Sequence, residues 1–295
     1  LAEHDKKNPL HAPFCADRAC QVRTPILENV RIAQDTYRVR FDCPTIAKRI
    51  IPGQFVMMRL AGCDDPLLAR PLALYDIVVS PSGEPSAIDI VYLVAGKFTR
   101  RLAECAPGEM LDVWGPLGNG FAPQSAEHLI IVAGGIGQTP FLALAAEQLG
   151  RTRYGDRPRV PRPQRISFCY GARSANYLAG VDDFRRLGIE MHLSTDDGTA
   201  GHHGFVTDVL RELLEQPSTQ SRQIVCCGPE RMMEAVAEIS HHFAVPCQVS
   251  LETPMACGIG ICFTCVAKVR QADGSWDYKR TCVEGPVFDA EQIVW

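Results

Sequence analysis

Four cysteines near the C-terminal end carry a spacing that chemistry can use. Cys257, Cys262 and Cys265 read C-x4-C-x2-C, and Cys282 follows after sixteen intervening residues. This is the ligand spacing of a plant-type [2Fe–2S] cluster, in which four thiolates hold two irons. Gly258 and Gly260 lie between the first two cysteines. A loop that wraps a cluster needs such positions, because glycine alone enters left-handed backbone without steric cost. Loop amides can then donate to the sulfurs and tune the potential. Two other readings compete. Zinc favours paired C-x2-C knuckles, and only one is present. Buried structural thiols need no such spacing.

A second group could hold an anion. Ile130–Ala133 runs into Gly134-Gly135-Ile136-Gly137-Gln138-Thr139-Pro140 and then a helical pattern. A strand, a glycine turn and a helix N-terminus together favour a nucleotide pyrophosphate: backbone amides approach it closely and the helix dipole supports its charge. Pro140 suits the start of a helix, where its missing N–H costs nothing. Cys226-Cys227-Gly228-Pro229 follows another strand. It reads either as an ordinary strand-to-helix turn or as a place where Cys227 and Gly228 border a nicotinamide. Asp196, in Thr195-Asp196-Asp197-Gly198, reads equally as a partner for a nucleotide hydroxyl or as a strand terminator.

The elements that must position these groups fall into three regions. Residues 23–121 show short β-like runs, at Tyr37–Phe41, Gln54–Leu60, Leu72–Val79, Ala87–Val94 and Met110–Val113. Turn pairs such as Pro52-Gly53 and Pro107-Gly108 punctuate them, which predicts a small antiparallel barrel. Residues 122–246 alternate strand and helix, which predicts a parallel, helix-covered sheet. Its helices are expected over Pro140–Leu149, Val181–Leu187, Val206–Leu214 (with Thr207 as a capping residue) and Met232–His241. Residues 247–295 are short, Cys- and Gly-rich and poor in helix signals, so a cofactor must supply what a small core cannot. Residues 1–22 are polar, without the apolar core of a signal peptide, and read as a poorly ordered tail. There, His11, Cys15 and Cys20 are a weak candidate for a metal motif lacking a fourth ligand.

Bulk properties narrow the classes. The chain has 295 residues, enough for two or three domains. Its formal charge of -4 gives no basic bias toward nucleic acid, and no apolar run reaches the length of a membrane span. Thirteen cysteines, an odd count without a secretory signal, favour a reducing cytoplasm and thiols that are buried or bind metal.

These pieces, in this order, resemble the ferredoxin–NADP reductase superfamily. Within it they are most similar to the electron-transfer subunits of class 1B dihydroorotate dehydrogenases. The likeness rests on Gly115-Pro116-Leu117-Gly118-Asn119-Gly120-Phe121, Ser194–Gly198, Gly204–Asp208, Met255–Gly260 and Thr281-Cys282-Val283-Glu284-Gly285-Pro286-Val287-Phe288. The resemblance implies a multidomain fold: an antiparallel FAD-binding barrel, an α/β NAD-binding domain with a parallel sheet, and a small C-terminal [2Fe–2S] domain. It implies FAD on Arg70-Pro71-Leu72-Ala73, with Arg70 as a bidentate donor to the pyrophosphate. Ala73 stands where the family has Ser. The family's Gly-x-Gly-Thr appears as Gly96-Lys97-Phe98-Thr99, with Phe98 in place of the second glycine. Gly96, Lys97 and Thr99 are expected to contact phosphate.

The resemblance further implies NAD(H) as a diffusible substrate and a separate FMN-containing catalytic subunit that oxidises dihydroorotate in pyrimidine biosynthesis, the two forming a heterotetramer. It assigns no proton-transfer role to any histidine of this chain. Arg173 lies where a 2′-phosphate contact would discriminate NADPH, whereas the resemblance favours NADH. Two alternatives remain open: the same cofactors in a ferredoxin:NAD(P) oxidoreductase or sulfhydrogenase complex, and a non-catalytic redox-sensing protein, for which the Ala73 and Phe98 departures would argue.

Overall fold

A computed structural model describes residues 18–122, 125–158 and 161–295. His11 and Cys15 therefore lie outside the described residues. Cys20 already belongs to a strand, so the expected tail gives way to ordered backbone before residue 23.

The first sheet contains β1 (Cys20–Ala33), β2 (Thr36–Asp42), β3 (Phe55–Leu60), β4 (Arg70–Ala73), β5 (Asp76–Val79), β6 (Pro85–Leu93) and β7 (Met110–Leu117). Two helices interrupt it: α1 (Pro44–Ala47) and α2 (Lys97–Glu104). The strand order is β4-β3-β7-β1-β2-β6-β5, with every pairing antiparallel. β1 bridges two halves: residues 20–25 pair with β7, and residues from Ile26 onward pair with β2 through two register shifts. Such bulges bend a strand, and here they curl the sheet into a barrel-like shape. Its interior is filled by side chains such as Phe41, Val56, Ile90, Phe98 and Val113, all at most 2% exposed.

The expected strand Leu72–Val79 is two strands. Leu74 and Tyr75 break it, since each is buried in a different core. α2 falls where a phosphate loop was expected. Phe98 and Leu102, one helical turn apart, face the barrel core, and that burial drives the segment helical.

The second sheet contains β8 (His128–Gly134), β9 (Arg165–Ala172), β10 (Glu190–Thr195), β11 (His202–His203), β12 (Arg222–Cys227), β13 (Cys247–Ser250) and β16 (Val287–Asp289). Its order is β11-β10-β9-β8-β12-β13-β16. All pairs are parallel except β13 with β16. Side chains alternate along β8. Leu129, Ile131 and Ala133 join a core with α3 (Phe141–Gln148) and α4 (Val181–Arg186). Ile130 and Val132 join the opposite core, with α5 (Val206–Glu215) and α6 (Glu230–His242). A strand buried on both faces reads as a continuous apolar run, which is why β8 was visible in the sequence. The cap of α5 is Asp208, whose Oδ2 accepts the Phe205 N–H at 3.0 Å, and not Thr207.

The last segment shares this sheet. β13 and β16 lie after residue 246 yet extend the parallel sheet, so a boundary there cuts through it. Between them come the cysteine loop and the hairpin β14 (Val266–Arg270) and β15 (Trp276–Arg280). Asn119, in the barrel domain, clasps the return to β16. Its Nδ2 donates to the Glu284 and Val287 carbonyls at 3.2 and 2.7 Å, and its Oδ1 accepts the Val287 N–H. Among the described residues no helix is long and apolar enough to cross a membrane.

Candidate functional site

The cysteine loop packs on the outer face of the barrel. Cys265 and Cys282 are each 1% exposed and share an apolar core with Phe55, Met57, Ala69, Leu117 and Val283. Cys257 is half-buried and Cys262 exposed. Cys262 interacts with the Cys257 thiol and Cys265 with the Cys282 thiol, while Cys282 also feels Cys257. Among the described residues no three His, Cys, Asp or Glu side chains form a group that would hold one metal ion. Two pairs are the division that a two-iron cluster asks of its ligands. Hydrogen bonds from Thr264 pull Cys262 down to about 6, and a bond with Cys282 pulls Cys265 down to about 6, at the expense of Cys282, which is raised. Low thiol pKa favours the thiolate that binds metal.

The glycines do what the spacing asks. Gly258 and Gly260 have φ of +72° and +84°. A Cβ on Gly258 would fall 2.5 Å from Met57 Cγ, and one on Gly260 would fall 2.6 Å from Val283 Cγ2. The loop is pinned from outside as well: Trp114 Nε1 donates to the Cys257 carbonyl at 3.1 Å, and Thr281 Oγ1 to the Cys265 carbonyl at 3.1 Å. The four cysteines and this cradle fit a [2Fe–2S] cluster.

The Arg70–Ala73 stretch is β4, an edge strand of the barrel sheet, with Pro71 opposite Met57 and Ala73 opposite Phe55. Met57 thus touches the cysteine loop and is registered with the Arg70-Pro71 stretch. The Arg70 guanidinium donates to the Leu68 and Ala69 carbonyls at 2.8 and 3.1 Å. Leu72 and Ala73 are half-buried. The second stretch differs from expectation. Thr99 Oγ1 accepts the Ala95 and Gly96 amides at 3.0 and 3.1 Å, closing the first turn of α2. Its hydroxyl is therefore spent on its own loop. Lys97 opens α2, its ammonium 2.6 Å from Asp65. Phe98 points into the barrel and leaves the loop surface clear, so its bulk is no obstacle. An arginine on β4 and an exposed Gly96 at the start of α2 are each residue types that a dinucleotide pyrophosphate can use.

The nucleotide loop sits at the C-terminal edge of the parallel sheet, where ligands gather in open α/β folds. β8 ends at Gly134, Gly135 takes φ +55° with open space where a Cβ would point, and α3 follows Pro140. Gly137 is pressed on the neighbouring turn: a Cβ there would meet Cys227 O at 2.3 Å and Gly228 Cα at 2.7 Å. The structure thus brings Gly134, Gly135 and Gly137 together with Cys227 and Gly228. Desolvation pushes the Cys227 thiol up to about 12, so it stays protonated.

Gln138 and Thr139 face inward and not toward the loop surface. Gln138 is fully buried, and neither side-chain amide atom has a protein partner among the described residues. Asp196 is exposed two strands away, its N–H on the Ala172 carbonyl at 3.1 Å. It shares the sheet edge without touching the glycine loop.

Sequence reasoning missed the contacts that join the domains. Tyr75, just after β4, is 1% exposed and donates to Asp183 Oδ2 of α4 at 2.6 Å. Tyr154 donates to Asp76 Oδ1 at 2.5 Å. No periodicity announces such pairs; only the Leu74-Tyr75-Asp76 run, apolar then polar at a strand break, marks the place.

Comparison with known proteins agrees with this geometry. Residues 23–121 match the oxidoreductase FAD-binding domain family, 131–238 the oxidoreductase NAD-binding domain family, and 252–294 the iron–sulfur cluster binding domain of dihydroorotate dehydrogenase B. Two relatives are named dihydroorotate dehydrogenase B (NAD(+)), electron transfer subunit. That of Caldanaerobacter subterraneus subsp. tengcongensis is 34% identical over 275 residues, 93% of this chain and 99% of the relative. That of Bacillus caldolyticus is 36% identical over 266 residues, 89% and 94%. A solved structure of an NADH-dependent reduced ferredoxin-NADP oxidoreductase, described in connection with flavin-based electron bifurcation, superposes with a TM-score of 0.76 at 29% identity, covering 92% of this chain and 90% of that one. The ferredoxin reductase of a carbazole 1,9a-dioxygenase shares the fold, with a TM-score of 0.61 at 19% identity. With an FAD domain, an NAD domain and a [2Fe–2S] segment in one chain, this protein belongs to the family of dihydroorotate dehydrogenase B electron-transfer subunits.

Proposed function

We propose that this chain passes electrons from a catalytic partner subunit, which oxidises dihydroorotate on an FMN, to NAD+ in the cytoplasm. In this reading two copies of each subunit form the working heterotetramer. The single observation that carries the proposal is the two-sidedness of the cysteine loop. Its buried side, Cys265 and Cys282, shares a core with Ala69, the residue before Arg70. Its outer side presents exposed Cys262 between Ile261 and Phe263, 72% and 57% exposed. Leu67 and Leu68 add further exposed apolar surface just before Ala69. An apolar patch around one edge of a redox centre suits a protein partner.

The residue roles follow the same reading. Cys257, Cys262, Cys265 and Cys282 ligate the cluster. Arg70, with Pro71, Leu72 and Ala73 beside it and Gly96, Lys97 and Thr99 shaping the helix start, holds FAD. Gly134, Gly135 and Gly137 admit the NAD pyrophosphate; Gln138 and Thr139 support that turn from behind. Cys227 and Gly228 leave room for the nicotinamide, and Asp196 takes a ribose hydroxyl. When bound, FAD converts between hydride exchange with nicotinamide and single-electron exchange with the cluster. The chain's own part is to fix distances and exclude water. Met57 and Leu117 seal the space behind Gly258, and protonated Cys227 offers no charge against the nicotinamide.

A second reading keeps every cofactor and changes the partner. The 29% identical NADH-dependent reduced ferredoxin-NADP oxidoreductase structure supports an equivalent place in a complex of that kind. Anaerobic mixing of the chain and its FMN subunit with dihydroorotate, then NAD+, separates the two. The proposal expects bleaching by dihydroorotate and recovery with NAD+. Bleaching by NADH alone moves the partner to the second reading.

A further inference from the structure

Arg280 is a cation placed against the cluster loop, and nothing in the ligand spacing asks for it. Its side chain is 8% exposed, and its Nη1 donates to the Gly260 carbonyl at 3.0 Å. The guanidinium lies 5.0 Å from the ring centre of Phe263. These two contacts straddle Cys262. Phe263 also has a φ of +56°, a conformation that a bulky residue holds only when its surroundings impose it. On the other side Arg280 precedes Cys282 by two residues, so one side chain ties both ligand-bearing segments together.

Gly260 is held at its carbonyl. Gly260 has φ +84°, and its carbonyl accepts from Arg280. Peptide planarity then fixes the Ile261 N–H, on the opposite edge of the same peptide as that carbonyl. The counter-charge is partial. Glu284 Oε2 is 3.4 Å from Arg280 Nε, but it also accepts the Arg280 backbone N–H at 2.8 Å, and Glu284 Oε1 is 3.7 Å from Lys279 Nζ. Glu284 is thus shared between Arg280 and Lys279, and Lys279 also lies 3.9 Å from Asp277 Oδ2.

We infer that Arg280 is a positioning residue for the iron–sulfur cluster: it pins the exposed Gly260–Phe263 arm and sets the cluster's potential through its fixed charge. This rests on the four cysteines being the ligands. A planar fork over an aromatic ring does what lysine cannot, while the charge alone is common to both. A buried positive charge favours the reduced, more negative cluster, because low-dielectric surroundings screen it weakly.

The test uses the full chain with FAD and cluster loaded. The parent must first show the spectroscopic signal of a reduced [2Fe–2S] centre; its absence would remove the ligand assignment itself, before any variant is compared. Arg280→Gln and Arg280→Lys are then compared for cluster loss to a chelator and for midpoint potential, with FAD content as the internal control. Both variants are expected to lose the cluster at least fivefold faster. Arg280→Gln is expected to shift the reduction equilibrium about tenfold toward the oxidised cluster, about 59 mV for one electron. Arg280→Lys restores the potential and not the retention. Glu284→Gln, which keeps Arg280, is expected to shift the potential the opposite way and serves if Arg280→Gln does not load. A parental potential or a parental loss rate in Arg280→Gln would overturn the inference, as would an unmoved potential in Glu284→Gln.

Discussion

Gly258 of the cysteine loop rests directly on Met57 of β3, so closely that a single added carbon would fall 2.5 Å from Met57 Cγ. Met57 is registered opposite Pro71, beside Arg70. Two sites that lie 187 residues apart in sequence (258 − 71) therefore meet through one side chain. In the arrangement proposed above, with FAD on β4 and the cluster on the four cysteines, Met57 lies between the two.

Gly258→Ala should break this contact. It adds a left-handed backbone penalty of about 1–2 kcal/mol to a steric overlap of about 1–3 kcal/mol. Gly274→Ala isolates the first term, since Gly274 has φ +83° with nothing within 4 Å. Visible absorbance per mole of protein should show most of the cluster lost in Gly258→Ala and retained in Gly274→Ala, with FAD content unchanged in both. Equal cluster content in the two would mean that proximity to Met57 is immaterial.

Gly137→Ala should act on the nucleotide and spare the other cofactors. Its Cβ would meet the Cys227 carbonyl at 2.3 Å, and backbone cannot step aside as a flexible side chain would. NADH affinity, read by titration of flavin reduction, should fall at least tenfold while FAD and iron contents hold. Unchanged affinity would place the nucleotide elsewhere on the sheet edge.

Phe98→Ala removes the residue that departs from the family's glycine. Because Phe98 is 2% exposed in the barrel core, the change should cost about 3–5 kcal/mol of stability and gain nothing in FAD affinity. Denaturant midpoints and flavin retention measure the two effects. Tighter FAD binding in the variant would show that the ring obstructs the site after all.

His128 gives a pH dependence far from any cofactor. It is 1% exposed, with Nε2 2.9 Å from Ser167 Oγ. Burial, and then Arg165 and Arg222, push it down from 6.5 to about 4. Between those values the unfolded chain binds a proton that the folded chain refuses. Its contribution is therefore complete above pH 6.5 and is lost as pH falls toward 4. By pH 5 the loss should be roughly 2 kcal/mol, and His128→Gln should remove it. Unfolding midpoints of parent and variant that fall in parallel from pH 7 to 5 would assign the effect to other groups.

The sequence was most legible where one residue type answers to one constraint. Ligand spacing marked Cys257, Cys262, Cys265 and Cys282, and the doubly buried β8 marked the glycine loop behind it. Alternation of strand and helix located α3, α4, α5 and α6 to within a few residues. What stayed hidden was set by contacts between distant segments. β1 carries Pro25 and two register shifts, so no simple period runs along it. α2 was obscured because Gly96 and Thr99 read as a phosphate loop, whereas burial of Phe98 and Leu102 made the segment a helix. Gln138 reads in the sequence as part of the glycine turn, yet packing buries it completely. The sheet strands β13 and β16 lie on either side of the cysteine loop, and only their pairing reveals that the C-terminal segment completes the preceding domain.

The most direct test of the whole account is an anaerobic NADH titration of the purified chain, followed by visible absorbance, beside Cys282→Ser. NADH should bleach both flavin and iron–sulfur bands in the parent, and the flavin band alone in Cys282→Ser. A colourless parent that releases no flavin on denaturation and contains no iron would contradict it.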